Sequence, residues 1–263
     1  MAAAAAPPKS LCADDMQRLY LMVLGYYRFK MNSLMRYDGD SRIELMKSKL
    51  QGILENFYNC PTSHVINMIV FIDEACKIID GYAVRIAFES AGINAKLPLE
   101  MDREKGKIPF FDAILGAMHE QKVKAVVDFG SGTGFLSYCL GRYAGEQKKS
   151  LSVYAIDLKR CDKNCMVEQE IGTVDKLRKH EDSLLFLVWR PYKLFKPYDA
   201  IRVFPGNLIL FNDEGYMYDD RALEEFRKNW TRVPTLIEYS RPKYAGYELY
   251  KRDHIVPAAA AAP

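Results

Sequence analysis

Long apolar runs are missing from this chain. The longest, residues 65–72, is broken by Asn67 and followed at once by Asp73 and Glu74, far short of the roughly 20 residues a membrane-spanning helix needs. No membrane partner is expected. An excess of either charge is missing too, since 37 Lys and Arg face 34 Asp and Glu for a net +3, so there is no strong nucleic-acid signal. The six cysteines, Cys12, Cys60, Cys76, Cys139, Cys161 and Cys165, are scattered, and no secretory leader is expected in MAAAAAPPKS. Paired disulfides are therefore not expected, and a reducing compartment, cytoplasmic or nuclear, fits better. Cys161 and Cys165 have the spacing of half a metal site, but no second tight Cys or His pair follows, so no metal is expected. The four histidines, His64, His119, His180 and His254, read as surface or satisfied polar residues rather than as bases.

What is present is enough for a core. Hydrophobic residues make up 49% of the 263 positions and charged residues 27%, which excludes a wholly disordered or collagen-like chain. Both ends are alanine- and proline-rich, and residues 1–10 and 255–263 read as tails. Residues 11–108 read as a helical region and linker. Tyr20, Val23 and Leu24, then Leu45, Met46, Leu50 and Ile53, then Val65, Ile66, Ile69 and Ile72 recur at helical spacing. This region is expected to offer a surface to a protein partner.

The period changes after residue 124. Short apolar runs at 125–129, 151–156, 184–189 and 207–211 read as strands, with helices at 135–143 and 220–229 between or after them. Two closing strands are expected at 235–239 and 247–251. The alternation predicts an α/β fold with a doubly wound sheet.

The sharpest local feature is Asp128-Phe129-Gly130-Ser131-Gly132-Thr133-Gly134, where a buried strand gives way to a helix. Glycines let the backbone turn sharply and touch a ligand, and the following helix opens with free N–H groups. Such a turn can hold a pyrophosphate, or equally the carboxypropyl and ribose parts of an adenosyl amino acid. It is not the G-x-G-x-x-G dinucleotide fingerprint, because the third glycine comes one residue early, and it lacks the Lys-Ser/Thr pair of a P-loop. Asp157 ends the second strand 23 residues beyond Gly134. An acid there meets the ribose hydroxyls of a nucleoside lying across the first loop.

Together these residues resemble the class I S-adenosylmethionine-dependent methyltransferases, whose first motif is an acid followed by a G-x-G-x-G loop. The resemblance implies a Rossmann-like methyltransferase domain over residues 109–254, ending in an antiparallel strand pair. It implies S-adenosyl-L-methionine as cofactor, held by Asp128, Gly130, Ser131, Gly132, Gly134 and Asp157. A closer resemblance lies in LLFLVWRPY followed by GNLILF. It is to a little-characterised group of methyltransferase-like proteins with a Trp-Pro-Pro-Tyr segment after the fourth strand, and it implies an acceptor pocket at Trp189, Arg190, Pro191 and Tyr192.

Members of the wider family that methylate amino groups carry Asp or Asn before paired prolines. Here that position is Trp189, and the first proline is Arg190. The usual side-chain contact to a substrate NH₂ is therefore missing, which argues against an adenine N-methyltransferase. The expected function is methyl transfer to an unidentified acceptor, with a catalytically inactive binding or scaffolding protein as the alternative. No catalytic residue is assigned, since methyl transfer to a good nucleophile can run largely on alignment. The third strand has no clear place among the 26 residues between Asp157 and Leu184. Asp175 and Asp182 are the acids considered there for the adenine amino group.

Overall fold

The computed structural model describes residues 17, 20, 21, 24, 44, 45, 47–52, 65–71, 106–158, 166–188, 196–213, 220–234 and 246–253. The chain divides into two compact units, Met1–Ala95 and Lys96–Pro263. Every described residue of the first unit is helical. Tyr20 and Leu24, one turn apart, are buried, as are Leu50 and the apolar residues of 65–71. Leu45, expected on the apolar face with Leu50, is instead 55% exposed. Five residues separate the two, and that spacing sets them well apart around the helix.

In the second unit the elements run α1 (Pro109–Glu120), β1 (Ala125–Phe129), α2 (Phe135–Glu146), β2 (Ser152–Asp157) and β3 (Gln169–Ile171). After a 3-10 turn at Val174–Lys179 come β4 (Ser183–Leu187), α3 (Pro197–Val203), β5 (Leu208–Asp213), α4 (Asp220–Asn229), β6 (Trp230–Arg232) and β7 (Gly246–Arg252). They form a seven-stranded sheet of order β3-β2-β1-β4-β5-β7-β6. The first five strands in that order are parallel to one another, and β7 is antiparallel to both β5 and β6. The fold is α/β with a doubly wound sheet.

Periodicity explains the layers. β1 and β4 are buried at all five positions, the signature of strands covered on both faces. Val127, Phe129, Leu185, Leu187, Ile209 and Phe211 join Leu177, Ile201, Phe204 and Phe226 in one core cluster, so the 3-10 turn, α3 and α4 cover that face. Alternation sends Val126, Leu184, Phe186 and Leu210 to the other face. There Phe110 of α1 meets the ring of Tyr247 from β7 edge-on at 5.3 Å. The Tyr143 hydroxyl of α2 pins α1 in place, accepting from the Ile108 N–H at 3.1 Å and donating to Asp112 at 2.8 Å.

The antiparallel closing pair is present, formed by β7 and by β6, which begins directly after α4 at Trp230; the strand expected at 235–239 lies outside the described residues. Phe226 draws β6 inward, stacking on Tyr250 at 4.1 Å and meeting Trp230 edge-on. Arg252 completes the corner. Its guanidinium lies 4.4 Å above the Trp230 ring and donates to the Phe204 and Gly206 carbonyls. The third strand, which the sequence leaves without a clear place, is the polar Gln169–Ile171, preceded by the apolar residues Met166 and Val167.

Candidate functional site

The sheet reverses its winding at β1: β2 and β3 lie on one side, β4 and β5 on the other. In open α/β sheets the crevice beyond the strand carboxyl ends at such a switch point is where ligands bind. The glycine turn sits there. Gly130, Gly132 and Gly134 have φ of 74°, 54° and 70°, left-handed values that strain any residue carrying a Cβ. The three turns wind the chain tightly from β1 into α2. The Gly130 N–H donates to the Ile156 carbonyl at 2.9 Å, and the Gly134 N–H to the Ser131 carbonyl at 2.7 Å. Gly134 is the N-cap of α2 with no side-chain cap, so the first-turn N–H groups face the loop without an intrahelical acceptor.

Asp157, the last residue of β2, is brought to this loop. Its Oδ2 accepts the Gly132 N–H at 2.9 Å. β1 and β2 pair in register from Ala125↔Ser152 to Phe129↔Ile156, which places the loop and the acid side by side at the same sheet edge. Asp128 takes a different position. It is buried beneath the loop, and its Oδ2 accepts the Ser137 hydroxyl at 2.7 Å. Burial pushes its carboxyl up to about 7 against the opposing Ser137 hydrogen bond, and the nearby Asp157 charge adds to the rise.

Met166 and Val167, just before β3, and Gln169, at its start, cover the loop from one side. The Met166 N–H donates to the Thr133 carbonyl at 2.8 Å. Val167 fills the space beside Gly134, where an added Cβ would come within 2.2 Å of its Cγ2. The Gln169 amide donates to Ser131 Oγ at 3.0 Å and to the Gly132 carbonyl. Ser137, Val167 and Gln169 escaped the sequence reading. A serine three residues into a helix, or a glutamine on a three-residue edge strand, carries no local signal.

The structure thus brings together Asp128, Gly130, Ser131, Gly132, Gly134 and Asp157. Trp189, Arg190, Pro191 and Tyr192 lie outside the described residues. Asp175 is exposed in the 3-10 turn beside Arg178. Asp182 is exposed at the amino end of β4, the sheet edge opposite the loop. Neither acid is at the site. His180 departs from its expectation as a surface or satisfied residue. It is buried, its ring lies 4.9 Å from that of Tyr154, and its Nε2 has no hydrogen-bond partner among the described residues. Burial, with Lys179 nearby, lowers its pKa and favours the neutral ring. Among the described residues no group of three His, Cys, Asp or Glu side chains could hold a metal ion, and no helix is long and apolar enough to cross a membrane.

No protein-family model and no curated protein matches the chain. A solved structure from Listeria monocytogenes, of a protein provisionally assigned to the class I S-adenosylmethionine-dependent methyltransferases, is similar over 92% of this chain and 89% of that one. The identity is 11% and the TM-score 0.37, a likeness too slight to bear on the site.

Proposed function

We propose that the chain binds S-adenosyl-L-methionine between the glycine turn and Asp157 and transfers its methyl group to an acceptor. The observation that carries this reading is the pairing of Asp157 with Gly132 at the carboxyl edge of two adjacent parallel strands. The residues present suit an adenosyl amino acid. A carboxylate at the end of β2 accepts ribose hydroxyls, and the uncapped start of α2 favours an anionic carboxylate. Thr133 is 1% exposed and its hydroxyl has no hydrogen-bond partner among the described residues, so one buried polar atom at the loop remains to be satisfied.

The cofactor would supply an electrophilic methyl group. The protein's part is to bind, orient and exclude water, which lets transfer to a good nucleophile proceed by alignment. The acceptor side of the site is assigned from the sequence alone, to Trp189, Arg190, Pro191 and Tyr192. The replacement of the usual polar acceptor contact by Trp189 favours a second reading, in which the cofactor is bound without turnover and the protein serves as a binding or scaffolding module.

Calorimetric titration of the full chain with S-adenosylmethionine and S-adenosylhomocysteine tests the first reading. Micromolar binding, with NAD and ATP rejected, is the expected result, and no binding of either ligand by folded protein would overturn it. Incubation with labelled cofactor and cell extract then separates the two readings. Label transferred to an acceptor supports the enzyme; binding with no transfer favours the module.

A further inference from the structure

We propose that Gln169 is a positioning residue for the ribose end of this site, acting through Gly132 and Ser131 on the geometry of Asp157. The inference rests on the reading of the loop and Asp157 as an adenosyl-ligand site.

Gly132 is held from both ends. Its N–H donates to Asp157 Oδ2 at 2.9 Å, and its carbonyl accepts from the Gln169 amide. A left-handed glycine has wide conformational freedom, so without a restraint its two peptide groups can rotate and swing the N–H away from Asp157. The Gln169 NH₂ has two donors, and both are used, one on the Gly132 carbonyl and one on Ser131 Oγ at 3.0 Å. The amide orientation follows from this chemistry. A flipped Gln169 would set its own carbonyl oxygen against that of Gly132, acceptor against acceptor.

Ser131 gains a direction as well. Its hydroxyl accepts from Gln169, so its own proton is left for another acceptor. Gln169 lies on β3, which pairs with Ala155–Asp157 of β2, so one strand register sets both the acid and the amide that keeps the loop against it. An acceptor in place of the amide would reverse the polarity: Gln169→Glu would put a carboxylate against the Gly132 carbonyl and near Asp157. Gln169→Met would keep the length and remove both donors.

Two measurements test this on the full chain. In ligand-free protein, amide exchange followed by NMR reads the Gly132 N–H directly. Gln169→Met is expected to speed its exchange about fivefold, the worth of one lost restraint of about 1 kcal/mol, while the Gly130 N–H, bonded to Ile156, stays protected. The second measurement is the ratio of affinities for S-adenosylhomocysteine and its 2′-deoxy analogue. Gln169→Met should shrink that ratio toward one, and Gln169→Glu should shrink it at least as far. General loosening of the fold would weaken both ligands together and leave the ratio alone. Should Gln169→Met fail to fold, the isosteric Gln169→Glu carries both measurements. Unchanged Gly132 exchange with an unchanged ratio would overturn the role of Gln169 while leaving the cofactor reading intact. Failure of the wild-type chain to bind either ligand would overturn the cofactor reading, and the Gly132 exchange would still decide the restraint.

Discussion

Gly132 donates its N–H to Asp157 Oδ2 across 2.9 Å, joining the turn after β1 to the last residue of β2. The contact makes one unit of two features 25 residues apart. It also makes Asp157 a member of the loop's own hydrogen-bond network, so changes at the acid reach the loop backbone as well as the proposed ligand site.

Asp157→Ala should therefore weaken binding of S-adenosylhomocysteine tenfold to a hundredfold, from the loss of about 1.5–3 kcal/mol of hydrogen bonding to a charged group. The control is Asp175→Ala, an exposed acid beside Arg178, which should change affinity less than about twofold because exposed ion pairs contribute little. Titration calorimetry on both variants decides the matter. Equal losses would point to a general charge effect and remove Asp157 from the site.

Asp128 sets a pH dependence of stability. Its carboxyl sits at about 7 in the folded chain, against an ordinary value of 3.8. The folded state thus holds a proton that the unfolded chain releases earlier, and stability must fall as pH rises through that window, then level off above it. The loss is on the order of a few kcal/mol. Asp128→Asn keeps the shape, can still meet Ser137, and does not titrate. Melting temperatures between pH 5 and pH 8 should decline for the wild type and stay flatter for the variant; parallel curves would refute the assignment.

At Gly134, packing and backbone conformation act together. A Cβ there would lie 2.2 Å from Val167 Cγ2, and the φ of 70° is left-handed. Gly134→Ala should cost at least about 2 kcal/mol in urea denaturation. Adding Val167→Ala leaves only the Val167 Cβ at 3.5 Å, an ordinary contact. The double variant should relieve the clash but keep the backbone strain. A double variant no more stable than Gly134→Ala would show that Val167 is not the obstacle.

Lys122 and Lys148 are left-handed, with φ of 57° and 58°. Each follows a helix, and the next residue closes the end: the Val123 N–H donates to the Met118 carbonyl, the Lys149 N–H to Ala144. Glycine is the usual residue at such a helix end. Lys122→Gly and Lys148→Gly should each stabilise the fold by about 0.5–1 kcal/mol, the relief of left-handed strain less the added freedom of the unfolded chain. Calorimetric melting measures it, and a lowered melting temperature in both would contradict the backbone assignment.

Much of the sheet is legible in the sequence. β1 and β4 are buried on both faces, so apart from Asp128 and Ser183 their residues are apolar, and α4 begins and ends at the residues its pattern indicated. The glycine turn and Asp157 were legible because their chemistry is local: alternate glycines at a strand end, then an acid closing the next strand. β3 was not. Its three residues, Gln169, Glu170 and Ile171, are half-exposed or exposed, and an edge strand needs no apolar pattern when pairing with Ala155–Asp157 supplies its backbone partners.

Nearest-neighbour pattern thus accounts for the strands of the sheet centre, the α/β alternation and the two halves of the site, because burial on both faces and left-handed turns restrict residue type one position at a time. The order β3-β2-β1-β4-β5-β7-β6, the meeting of Gly132 with Asp157, and the hold of Gln169 on the loop came from folding. Those contacts join residues 25 and 37 positions apart. Hydrogen bonding of that range constrains only geometry, and a glutamine, a serine or an acid looks the same in the chain whether it meets water or a partner.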